Sequence, residues 1–99
     1  MLEFNGRTKG YKLMESRLGS ILILVEQSGN IEFLNRILSK HNNLIIGRQG
    51  IPLRNKNLSV ISLIIEGSTD DIGALTGQLG RLSGIQVKSV LMKPLPFNI

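Results

Sequence analysis

The sequence predicts an α+β domain with a four-stranded antiparallel sheet and two helices on one face, the ferredoxin-like βαββαβ sandwich. Two observations carry this. Short aliphatic runs and helical stripes alternate in the order strand, helix, strand, strand, helix, strand, which two βαβ crossovers turn into a split sandwich. The first and third runs are also the most apolar, as the two central strands of that sandwich require.

The first strand is Ser16–Glu26, where Ile21-Leu22-Ile23-Leu24-Val25 is β-branched, leucine-rich and too short for an ordinary buried helix. Gln27-Ser28-Gly29-Asn30 is a turn that ends on a good N-cap, Asn30. Ile31, Leu34, Ile37 and Leu38 then make one helical stripe, with Glu32, Arg36 and Lys40 outside it, and His41-Asn42-Asn43 ends the helix. Leu44–Gly47 is a short second strand, and Arg48 to Asn57 is a polar loop containing Gly50, Pro52 and Arg54. Leu58–Glu66 is the third strand. Gly67-Ser68-Thr69-Asp70 turns into a second helix with the stripe Ile72, Leu75, Leu79, Leu82, two acids near its positive end, and Gly84 as its stop. Ile85–Met92 is the fourth strand, Ile85, Val87, Ser89 and Leu91 alternating against Gln86, Lys88, Val90 and Met92.

Residues 1–15 hold two glycines, three basic residues and no apolar period, and are expected to be a flexible leader or extension. In an alternative reading the natural start is Met14. The domain proper is expected over 16–93, with Pro94 and Pro96 making 94–99 a C-terminal tail.

Ninety-nine residues make one domain, and 41% apolar residues with only 4% aromatic mean that its core is aliphatic. The chain has no cysteine, so disulfides, thiolate metal sites and cysteine nucleophiles are excluded, which fits the cytoplasm. No apolar run reaches the length of a membrane span, and no membrane partner is expected. The net charge of +5 is scattered and is compatible with an anionic partner without demanding one.

Chemistry-bearing sets are missing. The single histidine, His41, stands at a helix C-terminus, where the helix dipole favours a cation. No orienting acid for it is evident, so no Ser/His/Asp arrangement follows. A metal site shared between subunits would need His41 or carboxylates from another copy. Asp70 and Asp71 read as helix-start residues, and Gly47-Arg48-Gln49-Gly50 is only a short glycine-bearing loop. Neither central strand carries an aromatic for base stacking, which argues against an RNA-reading sheet, and direct DNA binding is not expected. The chain is expected to be no enzyme and to need no cofactor or metal.

The strongest functional clue lies in the central strands. A sheet covered on one face reads polar at every second position. Here Leu18, Leu22 and Leu24 oppose Ile21, Ile23 and Val25, and Leu58, Val60 and Ile64 oppose Ile61, Leu63 and Ile65, so both faces are aliphatic. Left bare, one of them would be a patch of roughly several hundred Å². At roughly 25 cal/mol per Å², covering it with a second copy is worth on the order of 10 kcal/mol before association costs. A homodimer or homotetramer is therefore expected, with Ile21, Ile23, Val25, Ile61, Leu63 and Ile65 at the interface. In the second helix Gly73, Gly77 and Gly80 share a stripe roughly opposite the leucines, which suits a face that another backbone or a ligand approaches closely.

Three segments together are recognisable: Ile46-Gly47-Arg48-Gln49-Gly50-Ile51-Pro52-Leu53-Arg54, then Val60 to Gly67, then Thr69-Asp70-Asp71-Ile72-Gly73-Ala74-Leu75-Thr76-Gly77-Gln78-Leu79-Gly80-Arg81. They resemble the family of small regulators associated with iron-only hydrogenase systems, over about Ser16 to Lys93. That family is similar to ACT domains and to the C-terminal domain of the nickel-responsive transcriptional regulator. The resemblance implies an ACT-like fold, oligomers and a regulatory role, transcriptional or metabolic, without catalysis. In ACT domains small effectors bind where the first strand turns into the first helix, near a subunit interface. The matching turn here is Gln27, Ser28, Gly29 and Asn30, whose N–H groups at a helix start suit an anion or carboxylate. Arg48 and Arg54 are the polar anchors expected for a small anionic effector or a protein partner. The acidic residue usual before that glycine is absent, and the nickel regulator's histidine- and cysteine-rich site is not reproduced. A structural or assembly module that binds another protein without a small ligand is the alternative function.

Overall fold

The computed structural model describes residues 16–94; the leader expected over 1–15 and all but Pro94 of the expected tail lie outside the described residues. The elements are β1 (Arg17–Glu26), α1 (Ile31–Lys40), β2 (Ile45–Leu53), β3 (Leu58–Gly67), α2 (Thr69–Gly80) and β4 (Ile85–Leu91). They form one antiparallel sheet in the order β2-β3-β1-β4, so the two most apolar strands are central and the arrangement is ferredoxin-like.

Both helices start where the caps predict. The Asn30 side chain accepts a hydrogen bond from the Phe33 N–H at 3.0 Å, and the Ser68 hydroxyl accepts one from the Asp71 N–H at 3.1 Å. His41 ends α1, its N–H donating to the carbonyls of Ile37 and Leu38. In α1 the buried positions are Leu34 and Leu38, with Ile37 half-buried. Ile31, expected in the same stripe, is 45% exposed because it sits in the first turn, beyond the edge of the layer.

The largest departure is β2. The polar stretch 48–53, read as loop, is strand, and β2 pairs with β3 as far as Leu53↔Leu58. Only the first few residues of β2 carry an apolar run, because an edge strand is exposed and is held by main-chain bonds to one neighbour. Pro52 is tolerated there for the same reason. A bulge between Ile45 and Gly47 shifts the register, and Ile46 is 59% exposed at that point. The true turn is short: a single 3₁₀ turn, Arg54–Lys56, followed by Asn57 in the left-handed region (φ 56°).

The core corrects the expected interface. Ile21, Ile23, Val25, Ile61, Leu63 and Ile65 are each at most 8% exposed, buried within one chain together with Leu34 and Leu38 of α1 and Ile72, Leu75 and Leu79 of α2. They cannot meet a second copy, because both crossovers lay their helices on that face. The uncovered aliphatic face is the opposite parity: Leu18, Leu22 and Leu24 of β1, Leu58, Val60 and Ile64 of β3, Ile51 and Leu53 of β2, and Val90 of β4.

Candidate functional site

At one end of the sheet, two chain reversals lie side by side: the β1–α1 turn and the hairpin between β2 and β3. Between them are two adjoining clefts. One, of about 420 Å³, runs along Glu26, Gln27, Gly29 and Ile31 on one side and Pro52, Leu53, Arg54 and Asn57 on the other. The second, of about 690 Å³ and more open, is lined by Leu24, Glu26, Gln27, Ser28, Lys56 and Leu58. Its floor belongs to the uncovered sheet face, since Leu24 and Leu58 are on that side.

The turn itself is built from main-chain contacts. The Gly29 N–H donates to the Glu26 carbonyl at 2.8 Å, and the Glu26 N–H donates to the Gly84 carbonyl at 2.9 Å. Gly29 packs backbone to backbone on Gly84, the residue that links α2 to β4. A Cβ on Gly84 (φ 74°) would stand 2.9 Å from the Gly29 Cα, and one on Gly29 would be 3.0 Å from the Gly84 carbonyl oxygen. This packing favours glycine at position 29, since any Cβ there would crowd main chain on both sides. In the first turn of α1 the Asn30 cap satisfies the Phe33 N–H, and the Ile31 and Glu32 N–H groups, which have no intrahelical acceptor, put the positive end of the helix beside the cleft.

The predicted anchors separate. Arg54 lines the smaller cleft, with Gln27 and Gly29 across from it. Ser28 lines the larger one. Asn30 is committed to capping. Arg48 lies elsewhere: its side chain is on the helix-covered side of β2, where its Nη2 donates to the Asn35 Oδ1 of α1 at 3.1 Å. Glu26, Lys56 and Asn57 enter the site without having been singled out. Asn55-Lys56-Asn57 between Leu53 and Leu58 was the available signal, a turn cluster between two apolar positions that marks a hairpin.

The glycine stripe of α2 is bare. Gly73, Gly77 and Gly80 are exposed, and a Cβ at any of them would have no neighbour within 4 Å. On α1 the Arg36 guanidinium lies 5.2 Å from the centre of the half-exposed Phe33 ring. Among the described residues, no three histidine, aspartate or glutamate side chains gather as a metal site would need, and the His41 Nε2 is buried without a hydrogen-bond partner. No helix among them is long and apolar enough to cross a membrane.

Comparison with known proteins gives the site its context. Among curated proteins none matches the sequence. A solved structure, that of TM1266 from Thermotoga maritima, is similar to this chain at 36% identity with a TM-score of 0.76, covering 80% of this chain and 100% of the other. LarC2, the C-terminal domain of a cyclometallase involved in synthesis of the NPN cofactor of lactate racemase, aligns at 12% identity with a TM-score of 0.44, over 79% of this chain and 58% of its own. The family model described as "TM1266-like: Iron-only hydrogenase system regulator, putative" matches residues 17–89, from the start of β1 nearly to the end of β4. With nearly three quarters of its length inside that match, the chain belongs to the TM1266-like family of iron-only hydrogenase system regulators.

Proposed function

We propose that this protein is a cytoplasmic, self-associating regulatory module that catalyses no reaction and binds a small anionic effector at the end of its sheet. The observation that carries the reading is the smaller cleft, where the free N–H groups at the start of α1 and the Arg54 guanidinium flank an apolar floor of Ile31, Leu53 and Leu58. Backbone donors and the exposed Arg54 cation around an apolar floor, with Glu26 the carboxylate in the lining, suit a carboxylate or phosphate joined to a small organic body. The family's name supports a regulatory output. The absence of cysteine supports the compartment, and the lack of a Ser/His/Asp arrangement in the sequence supports binding over chemistry.

The test is a thermal-shift and NMR chemical-shift screen with amino acids, nucleotides and inorganic phosphate. A binding anion should perturb Gly29, Ile31 and Glu32 amides. Arg54→Gln should weaken it by about 10- to 100-fold, the loss of one charge-assisted hydrogen bond, and Arg48→Gln should leave it unchanged. A flat response to every compound sinks the effector reading. The second reading, an assembly module that holds another protein, is favoured by one observation: the bare glycine stripe of α2. Under that reading, Gly77→Lys abolishes co-purification of the partner while the anion screen stays flat.

A further inference from the structure

The self-association proposed above has a specific surface. We infer that two copies of this chain pack open sheet face to open sheet face, with Leu22, Leu24, Val60 and Ile64 at the centre of the contact; this rests on the self-association part of that reading and is independent of the effector.

Pairing register places these residues. Across the central strands the uncovered face runs Leu18↔Glu66, Ser20↔Ile64, Leu22↔Ser62, Leu24↔Val60 and Glu26↔Leu58. On the flanks, Val90 sits beside Ser20 and Lys88 beside Leu22, while Ile51 sits beside Val60 and Leu53 beside Leu58. Between its ends the pair of central strands is aliphatic except for Ser20 and Ser62, while the edge strands add Gln49 beside Ser62 and Gln86 beside Leu24. Its charges stand at the perimeter: Lys88 on an edge strand, Glu66 and Glu26 at opposite ends of the two central strands. An apolar middle with a charged rim is the anatomy of a protein–protein interface.

The exposures are those of an unfilled contact. Leu22 is 52% exposed, Ile51 47%, Ile64 43% and Val90 66%. Four strands about 4.8 Å apart and eight or nine residues long at about 3.3 Å each give a footprint of roughly 500 Å². Its accessible surface is larger because side chains stand out of the pleat, which brings it close to the roughly 800 Å² per partner of a standard interface. That is the upper end of what a monomer leaves bare.

The chemistry of the face selects the occupant. It carries no aromatic side chain to stack on a base, and Lys88 and Lys56 against Glu26 and Glu66 leave no net positive charge to attract nucleic acid or an anionic lipid surface. Residues 1–15 carry five charges, Glu3, Arg7, Lys9, Lys12 and Glu15, a poor match for an aliphatic surface. A second copy offers the same aliphatic plane, and its rim charges have both signs, so the two rims can be opposed favourably.

Sedimentation equilibrium on the full-length protein tests this, alongside Leu22→Lys, Ile64→Lys and a helix-side control, Ser39→Lys. The expected result is a wild-type dimer, or a larger even assembly, at micromolar concentration. The control should be unchanged, and the two face variants should weaken association by at least about 100-fold, since a lysine in the centre buries an unpaired charge. Circular dichroism and thermal unfolding check that they fold. A second measurement needs no disruptive change. A single cysteine introduced as Ser62→Cys should react with a maleimide more slowly as protein concentration rises, while Ser39→Cys should not. A monomer at 100-fold higher concentration overturns the inference. So does an oligomer indifferent to the face variants, or an unprotected cysteine at 62. If the anion screen responds while the chain stays monomeric, this inference fails and the effector site stands. If the dimer forms and the screen is flat, the effector site fails and this contact stands.

Discussion

Single residues here divide by what their backbone meets. Gly84 has a positive φ and abuts Gly29, so Gly84→Ala puts a Cβ into main chain that has no room to move. A loss of about 1–3 kcal/mol is expected, read as a lower urea midpoint at unchanged slope. Gly77 is the opposite case: its φ is ordinary for a helix and the space around it is open. Gly77→Ala should raise stability by about 0.5–1 kcal/mol in the same measurement. From the sequence Gly84 reads as a helix stop and Gly77 as part of a stripe suited to close approach, yet it is Gly84 that main chain approaches and Gly77 that stands bare. Only the distance to a chain neighbour remote in sequence separates them. The same holds for the two loop arginines, of which Arg54 lines the cleft and Arg48 binds Asn35 on the helix side.

At the level of elements, caps and stripes carried the reading well, and edges did not. Asn30 could be assigned because an N-cap acts on an N–H three residues ahead, a distance the sequence displays directly, whereas Gly67-Ser68-Thr69-Asp70 offered several caps for α2 and the structure selects Ser68. Asn30→Ala is expected to lower stability by about 1 kcal/mol. Because Asn30 holds α1 rather than lining the cleft, the same change should leave anion-induced shifts at Gly29 in place. β2 was legible only over its first residues, since Arg48, Gln49, Gly50 and Pro52 are strand by virtue of pairing with β3 and have no alternation of their own. That misreading also hid half of the candidate site, because the hairpin carrying Arg54, Lys56 and Asn57 closes only once β2 is extended to Leu53.

For the whole molecule, the decisive fact is which aliphatic parity the helices cover. Adjacent residues of β1 should respond in opposite ways. Ile23, fully buried, should lose about 2–5 kcal/mol as Ile23→Ala. Leu22, 52% exposed, should change the stability of a dilute monomer by no more than about 0.5 kcal/mol as Leu22→Ala. If two copies share the open face, unfolding is linked to dissociation. The Tm should then rise with protein concentration, and Ile64→Lys should abolish the rise.

What the sequence determined by itself was everything that depends on local order and on residue type. It determined the succession of strands and helices, the centrality of β1 and β3, the Asn30 cap, and aliphatic residues on both faces of the central strands. It determined the lack of thiol chemistry as well. Tertiary structure alone decided which of those faces stays uncovered, because alternation gives two faces without saying which one receives the crossovers. It also decided that Gly29 packs on Gly84 and that Arg54, not Arg48, joins the β1–α1 turn. Each of these is a contact between segments far apart in the chain, and such contacts leave no period or spacing to be read.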